Sequence, residues 1–289
     1  MVREISLTAF SGILQARTEK KADAVVIVDG MAGSGKTTLQ ILMAREIDSD
    51  FSVLRNVVFD PNPKVTKDKI TNLPPGAAVC LDEGMRLANA RRAMSSWNVF
   101  LGEYFSINRK DFKVIFICVP CIQQIDTSIR NQRATFWIHV IKRGVAIIFR
   151  RSLVPADGDP WGIGDKGNMI KKLLRAEYPN RRMIELSTDE MIKALSKHDN
   201  FSFVMKFNPM PPDLEAEYEA MALKMRKDLK MPVDYGLRVK HYRLIIQGMV
   251  KYYYETDGMK QKEIADKFGL NVATVNQMVN KSGSWNLEG

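Results

Sequence analysis

The stretch AVVIVDGMAGSGKT, residues 24–37, decides the fold that this 289-residue sequence predicts. Its first five residues are all apolar, which indicates a β-strand that is buried on both faces. A glycine-rich turn follows this strand, and the pattern over residues 37–46 is helical. A buried strand that passes through a tight turn into a helix is typical of α/β proteins with a parallel sheet.

The glycine-rich turn fits the pattern G-x-x-x-x-G-K-(S/T) at every fixed position. Glycines let successive backbone N–H groups point at phosphate oxygens, and the start of the following helix adds its positive end. Lys36 can reach the β- and γ-phosphates of a nucleotide as a catalytic counter-charge, and the Thr37 hydroxyl can bind Mg²⁺. The motif predicts a site for ATP and Mg²⁺ that consists of Gly30, Met31, Ala32, Gly33, Ser34, Gly35, Lys36, Thr37 and Thr38.

Two acids follow a second apolar run, residues 77–81, and we expect them to complete this site. A carboxylate at the end of a strand neighbouring the phosphate loop can hold the Mg²⁺ shell, which is the role predicted for Asp82. The adjacent Glu83 is placed to orient or deprotonate an attacking water, so hydrolysis is favoured over phosphate transfer. The alternative is a pair of surface acids that cap the helix predicted over residues 85–107.

Further apolar runs extend the α/β pattern, and residues 1–20 are predicted to form a lead-in with an amphipathic helix. The alternation predicts an α/β fold with a mainly parallel sheet, in a P-loop ATPase domain over residues 1–208. Within it, residues 151–200 are expected to be an insertion or a lid, and 209–235 a helical linker. The predicted strands are 53–59, 113–119, 136–140, 145–150 and 201–207, and the predicted helices are 168–177, 188–197 and 214–229.

Polar side chains on either side of the strand at 113–119 are candidates for sensing the γ-phosphate and for completing the site in trans. Gln123 and Gln124 follow this strand and are the candidate sensors. Arg109, Arg130 and Arg133 are the candidate arginine fingers, acting between subunits if the protein forms a ring. For each arginine the alternative is a solvated or DNA-facing charge.

The C-terminal residues 236–289 are predicted to form a small helical domain with a helix-turn-helix. Helices are expected over 242–254, 260–268 and 272–281, with Gly269 in the turn and apolar side chains where the last two helices cross. The alternative is a three-helix oligomerisation or lid domain. The candidate DNA-binding residues are Thr274, Asn276, Gln277 and Asn280 toward bases, and Lys260 and Lys262 toward phosphates.

The charge distribution supports a polyanionic partner. The net charge is +10, and residues 130–182 hold 12 Lys and Arg against 4 Asp and Glu. Residues 223–289 hold 12 against 7. Such blocks are a footprint of nucleic acid, with a solvated basic surface as the alternative.

The composition bounds the class of protein. With 45% hydrophobic and 26% charged residues, the chain is too apolar for disorder. No apolar run approaches the ~18 residues of a membrane-spanning helix, so we expect no membrane span. Three cysteines cannot form an even disulfide framework, which favours a reducing compartment. We expect a soluble cytoplasmic protein, in the host cytoplasm if it is viral.

Taken in series, the segments GMAGSGKT, AAVCLDEG, NRKDFKVIFICVP and IDTSIRNQRATFWIHV resemble the FtsK/HerA superfamily of DNA-pumping ATPases over roughly residues 22–150. The later segments are most similar to its viral genome-packaging and phage-assembly branches. The resemblance implies a RecA-like fold, a homohexamer or similar ring, DNA as the partner of a translocase or packaging ATPase, and a capsid or other assembly partner. Members usually end the third strand in Gln, whereas this chain has Val119 and Pro120 there.

A second function from another class fits the same motifs. An ATP-switched DNA-binding initiator or regulator of the AAA+ type also joins a nucleotide site to a C-terminal helix-turn-helix. Turnover separates the two functions, because a motor hydrolyses ATP fast with any long DNA. A switch hydrolyses ATP slowly and needs its own binding site.

Overall fold

The structure is a computed structural model, and it describes residues 2–59, 63–82, 104, 108–153, 159–162, 169–228, 250, 253–268 and 270–280. The chain divides into two compact units, residues 1–225 and 226–289. The boundary lies within the range 209–235 that the sequence assigned to a linker. Among the described residues, no helix is both long and apolar enough to cross a bilayer.

The first unit consists of a sheet with helices on both faces. Its strands are β1 (Glu4–Ser6), β2 (Ala24–Gly30), β3 (Val57–Val58), β4 (Ala78–Leu81), β5 (Val114–Val119), β6 (Ala134–Lys142), β7 (Val145–Arg150) and β8 (Phe201–Lys206). Its helices are α1 (Leu7–Glu19), α2 (Lys36–Ile47), α3 (Val53–Asn56), α4 (Pro63–Thr71), α5 (Thr127–Gln132), α6 (Met169–Glu177), α7 (Thr188–Leu195) and α8 (Pro212–Asp228). Short 3₁₀ helices lie at Asn108–Asp111, Ile122–Gln124 and Met183–Glu185.

The sheet is mixed but mainly parallel, in the order β1-β8-β7-β6-β2-β5-β4-β3. Every described neighbouring pair is parallel except the two that involve β7, which runs antiparallel to β6 and to β8. The predicted strands 136–140 and 145–150 lie within β6 and β7, which pair as an antiparallel hairpin. The predicted fold class, α/β with a mainly parallel sheet, is confirmed.

Strand β2 lies in the interior of this sheet, and both of its faces are covered. Val26 and Val28 pack in one apolar cluster with α1 and α2, and Val25 and Ile27 pack in a second cluster on the opposite face. All four side chains are essentially inaccessible to solvent. Burying an aliphatic side chain of this size contributes about 1.5–3 kcal/mol, so the central strand is a major source of stability.

The prediction of a strand over residues 53–59 is wrong for its first part, which is helix α3. The Ser52 hydroxyl caps this helix by accepting from the backbone N–H of Arg55 at 3.3 Å. The Glu217 carboxylate on α8 accepts from the N–H groups of Val53 and Leu54 at 3.0 and 3.4 Å. These caps satisfy the first amides of a helical turn, and only β3 remains extended.

Two segments with expected peripheral roles contribute to the core. Helices α6 and α7, within the range expected to be an insertion or lid, bury Leu174 and Leu195. Helix α8, within the range expected to be a linker, buries Leu214 in the apolar cluster that also contains residues of α1 and α2, and it buries Ala222. Both segments are therefore packed parts of the first unit.

A buried carboxylate fixes the carboxyl edge of the sheet. Asp29, at the end of β2, is 2% exposed. Its Oδ1 accepts from Trp137 Nε1 on β6 at 2.8 Å and lies 2.7 Å from His139 Nδ1 on the same strand. Its Oδ2 accepts from the backbone N–H of Ile122, in the 3₁₀ helix after β5, at 2.9 Å. One carboxylate thus joins three neighbouring strands where the glycine-rich loop begins.

Replacing Asp29 tests this arrangement. In Asp29→Asn one oxygen becomes an NH₂ group, which then faces a buried N–H donor that has lost its acceptor. We expect the free energy of unfolding, measured by urea denaturation, to fall by about 1–3 kcal/mol. Asp199→Asn, the same change at an exposed carboxylate, is the control. A loss for Asp29→Asn no larger than for this control would contradict the assignment.

Candidate functional site

The glycine-rich loop leaves the end of β2 and enters α2 at Lys36. Gly30 has φ +145°, and a Cβ there would lie 2.4 Å from the carbonyl oxygen of Val140 on β6. Gly35 caps α2 with φ +96°, in the left-handed region. Both positions therefore require glycine, and they bring the loop close to the sheet edge.

The loop gathers polar groups that suit an anion. Lys36 Nζ donates to the carbonyl oxygens of Gly30 and Met31 at 2.9 and 2.8 Å, so the ammonium lies across the loop. Ser34 Oγ is buried and has no hydrogen-bond partner among the described residues. An unpaired buried hydroxyl is costly, which indicates a polar ligand here. Thr38 is half-buried in the first turn of α2, next to this loop.

Asp82 and Thr37 are in contact, although Asp82 follows β4 and Thr37 lies in the helix that follows β2, and these two strands are not adjacent. Strand β5 lies between β2 and β4 in the sheet, and α2 packs across β4 and β5 on one face. Thr37 Oγ1 donates to Asp82 Oδ1 at 3.1 Å, and Gln40 Nε2 donates to the same oxygen at 3.3 Å. The carboxylate is 6% exposed. A hydroxyl and a carboxylate are the oxygen ligands that suit Mg²⁺ with phosphate and water, so these residues fit that ion.

Tyr218 is a site residue that sequence reasoning missed. It lies on α8, packs against the ring of Phe59 at 5.4 Å between centroids, and donates its hydroxyl to Asp82 Oδ2. Burial, and then the Asp82 charge, raise the pKa of the Tyr218 hydroxyl, so it stays protonated and remains a donor. The two oxygens of Asp82 are therefore held by α2 on one side and by α8 on the other.

Arg143 is the second missed residue. It lies in the turn between β6 and β7, and its Nε donates to the carbonyl oxygen of Gly33 at 3.1 Å. The ring of Phe207, which follows β8, lies 3.6 Å from where a Cβ of Gly35 would be. The turn is at the carboxyl edge because β6 runs parallel to β2. The signal in the sequence that could have identified Arg143 was the pair of basic residues, Lys142 and Arg143, in a turn at the end of a parallel strand.

The candidate sensors lie in the 3₁₀ helix after β5, which Asp29 holds through Ile122. Gln123 Oε1 lies 3.0 Å from Cys121 Sγ. Gln124 Oε1 is buried without a hydrogen-bond partner in the described part of the chain. None of the three cysteines forms a disulfide in the described structure, and burial raises the pKa of each thiol.

The arginine candidates differ in exposure. Arg130 is 5% exposed, its Nε donates to Asn131 Oδ1, and its carbonyl oxygen accepts from the buried Trp161. A guanidinium enclosed in this way does not match a finger that reaches another subunit. Arg133 is half-buried at the end of α5. The Arg109 side chain, and Glu83 altogether, lie outside the described residues.

The second unit contains helices α9 (Gln261–Phe268) and α10 (Val272–Asn280). Ile264, Ala265 and Val275 form its apolar cluster together with Val250. The predicted turn residue Gly269 lies outside the described residues. The candidate DNA contacts are all exposed except the half-buried Thr274: these are Asn276, Gln277, Asn280, Lys260 and Lys262.

Comparison with known proteins gives little further guidance. No family model and no curated protein matches the sequence. Among solved structures, the N-terminal domain of zonular occludens toxin from Neisseria meningitidis is 18% identical, with 47% of this chain and 86% of that chain covered and a TM-score of 0.34. A RuvB mutant from Thermotoga maritima is 13% identical, with 94% and 83% covered and a TM-score of 0.33. Scores this low establish neither a shared fold nor a shared function.

The contact between Tyr218 and Asp82 is testable by removing one hydroxyl. Tyr218→Phe keeps the ring against Phe59 and loses a hydrogen bond to a charged group. We expect the free energy of unfolding to fall by about 1–3 kcal/mol. Hydrogen exchange should also become faster along α8, because its attachment to the site is weakened.

Tyr178→Phe is the matched control, since Tyr178 is also half-buried and its hydroxyl makes no hydrogen bond within the described residues. Unchanged exchange along α8 in Tyr218→Phe would show that the hydroxyl does not hold this helix.

Proposed function

We propose that this chain is an ATP-hydrolysing DNA motor, either a DNA translocase or a genome-packaging ATPase. The observation that carries the proposal is the hydrogen bond between Thr37 and Asp82, at the end of a loop that Lys36 spans. The hydroxyl and the carboxylate meet at the first turn of α2, next to the loop across which the Lys36 ammonium lies. That combination suits a magnesium nucleotide better than it suits any other common ligand.

Each residue has a defined role in the proposed hydrolysis. The backbone N–H groups of 30–38 and Lys36 bind the phosphates, and Thr37 with Asp82 would hold Mg²⁺, which supplies neutralisation of phosphate charge. We assign Glu83 as the base that orients or deprotonates water, because it directly follows Asp82 in the sequence. Gln123 or Gln124 is the proposed sensor of the γ-phosphate, and Gln124 has a buried oxygen without a partner.

The proposed DNA partner rests on charge and on the second unit. α10 presents exposed amide side chains, and the basic pair Lys260 and Lys262 lies at the start of α9. We infer that α9 and α10 form a helix-turn-helix with α10 as the base-reading helix. We also propose a RecA-like fold and a ring of identical subunits, with Arg109 or Arg133 as the finger in trans and a capsid or other assembly as a further partner.

The second candidate function, an ATP-switched DNA-binding regulator, is favoured by one contact. Helix α8 continues into the second unit at Arg226, and its Tyr218 is bonded to Asp82. A binding unit attached through a helix that touches the nucleotide site is suited to switching. The rate of ATP turnover with long non-specific DNA separates this regulator from a motor.

Two substitutions test the chemistry. Lys36→Ala removes the phosphate counter-charge, so nucleotide binding or turnover should be lost. Glu83→Gln should retain bound ATP but lower the rate of hydrolysis by ~10²–10⁴, the usual contribution of a positioned base. Binding is measured with a fluorescent nucleotide, and turnover by phosphate release with and without DNA.

The control is Glu46→Gln, which changes an exposed acid on α2 that takes part in none of the site's described hydrogen bonds. Equal and small effects of Lys36→Ala and Glu83→Gln would argue that the site is not a hydrolase.

A further pair of variants tests the second unit. Gln277→Ala should reduce discrimination between duplex sequences by about 1–3 kcal/mol if the amide reads a base. Lys260→Ala with Lys262→Ala should weaken binding to all sequences alike and flatten its salt dependence. Affinities are measured by fluorescence anisotropy over a salt series. Identical sequence preference in Gln277→Ala and the unmodified chain would exclude this residue as a base contact.

A further inference from the structure

A groove lined by arginines opens at the amino edge of the sheet, the edge opposite the glycine-rich loop. Its volume is about 580 Å³, and its lining includes the start of β6, the end of β7, the start of β8 and the outer side of α1. Arg3, Arg17, Arg150 and Arg151 line it, and none of its described lining residues is acidic. All of these residues belong to the first unit.

Two of the guanidinium groups are held in position by neutral acceptors. Arg17 donates from Nε and Nη2 to the carbonyl oxygen of Asp23 at 3.3 and 3.1 Å. Arg151 donates from Nη1 to the carbonyl oxygen of Gln132 at 3.0 Å. Carbonyl groups orient these side chains without cancelling their charge. Ordered cations without counter-charges are suited to binding phosphates.

The four arginines lack acidic partners among the residues that the structure describes. None of them forms an ion pair with any acid in the described part of the chain. Arg3 and Arg150 are exposed. Arg3 directly precedes β1, which pairs with β8, and Arg150 is the last residue of β7, which pairs with β8 on its other side. Four like charges around one groove repel each other, so an anionic ligand would relieve a cost that the folded chain carries.

The floor of the groove is apolar. Phe203 on β8 is half-buried and packs in the same apolar cluster as Phe136 on β6, which also lines the groove, and Ile13 on α1 is 39% exposed. Phe201, at the start of β8, packs in the cluster on the opposite face of the sheet. Leu153, after β7, is 85% exposed at the rim. Inorganic phosphate would use the arginines and leave these surfaces in contact with water. A ligand with both phosphates and flat apolar rings would use all of them, because bases stack on aromatic side chains.

We propose that this groove binds a single strand of nucleic acid, with its phosphates on the four arginines and its bases on the apolar floor. A duplex hides its bases, so it could use the charges but not the ring of Phe203. The site goes beyond the proposed duplex contact of the second unit. It also lies at the far end of the central strand from the nucleotide site, ~20 Å away for the seven residues of β2.

The test uses the full chain and a fluorescein-labelled oligothymidine of about 20 nucleotides, longer than one groove can hold. In the double variant Arg3→Ala/Arg150→Ala, affinity for this strand should fall about tenfold or more. The slope of log K against log salt should flatten by about 1.4 for two lost contacts with a single strand. Neither side chain makes a hydrogen bond in the described structure, so the fold should be retained.

Lys172→Ala/Arg175→Ala is the matched control, because it removes two exposed charges of the same basic block on α6, outside the groove. Duplex affinity and ATP turnover without DNA should be the same in both double variants. Duplex affinity and ATP turnover depend on the proposed function and not on the groove. Absence of these two activities in the unmodified chain would contradict the proposed function, whereas the groove is judged from single-strand affinity alone.

Two results would overturn the proposal. Equal single-strand affinities in the groove variant and the control would show that the arginines do not bind the strand. A changed oligomeric state in sedimentation with unchanged strand affinity would assign the groove to a contact between copies of the chain. Loss of affinity in the groove variant alone, with the same oligomeric state, supports the strand.

Discussion

The carboxyl edge of this protein depends on the buried carboxylate of Asp29. Two of its hydrogen-bond partners, Trp137 and His139, lie on β6 and one lies in the segment after β5, while the next residue in the chain is the first glycine of the loop. A carboxylate in a dry environment is tolerated only when donors surround it, so none of the three elements can move without cost. The loop, the candidate sensors and the turn that carries Arg143 are all positioned from this one group.

Asp82 connects the second half of the site. Its Oδ1 accepts from α2 and its Oδ2 from Tyr218 on α8, the helix that leads into the second unit. The N-terminal half of α8 is fixed independently, since Leu214 is buried and Glu217 caps α3. A helix attached at three points transmits a change at Asp82 to its own end better than a flexible linker would. This arrangement serves both a motor and a switch.

Local patterns were sufficient to predict the glycine-rich turn, the central strands and the place of Asp82 at the end of a strand, because each is encoded within about ten neighbouring residues. The failure at residues 53–56 has a different cause: their helical caps include Glu217, more than 160 residues away in the sequence. Tyr218 and Arg143 were missed for the same reason, since both meet the site only after the sheet is assembled. The Asp29 contacts likewise join β2 to residues about 90 and 110 positions later.

Strand β6 links the two edges of the sheet in a way that has consequences for the proposed function. It begins at the arginine groove with Ala134 and ends at the turn that holds Arg143 on the loop. Beside Gly30 the carbonyl oxygen of Val140 leaves no room even for a methyl group, so a shift of β6 along its axis would press on the loop directly. Trp137 and His139 tie the same strand to Asp29. If a nucleic-acid strand binds in the groove as proposed, β6 connects its binding site directly to the loop that surrounds the phosphates. Binding would then alter the geometry around the phosphates through β6, without any motion of the second unit.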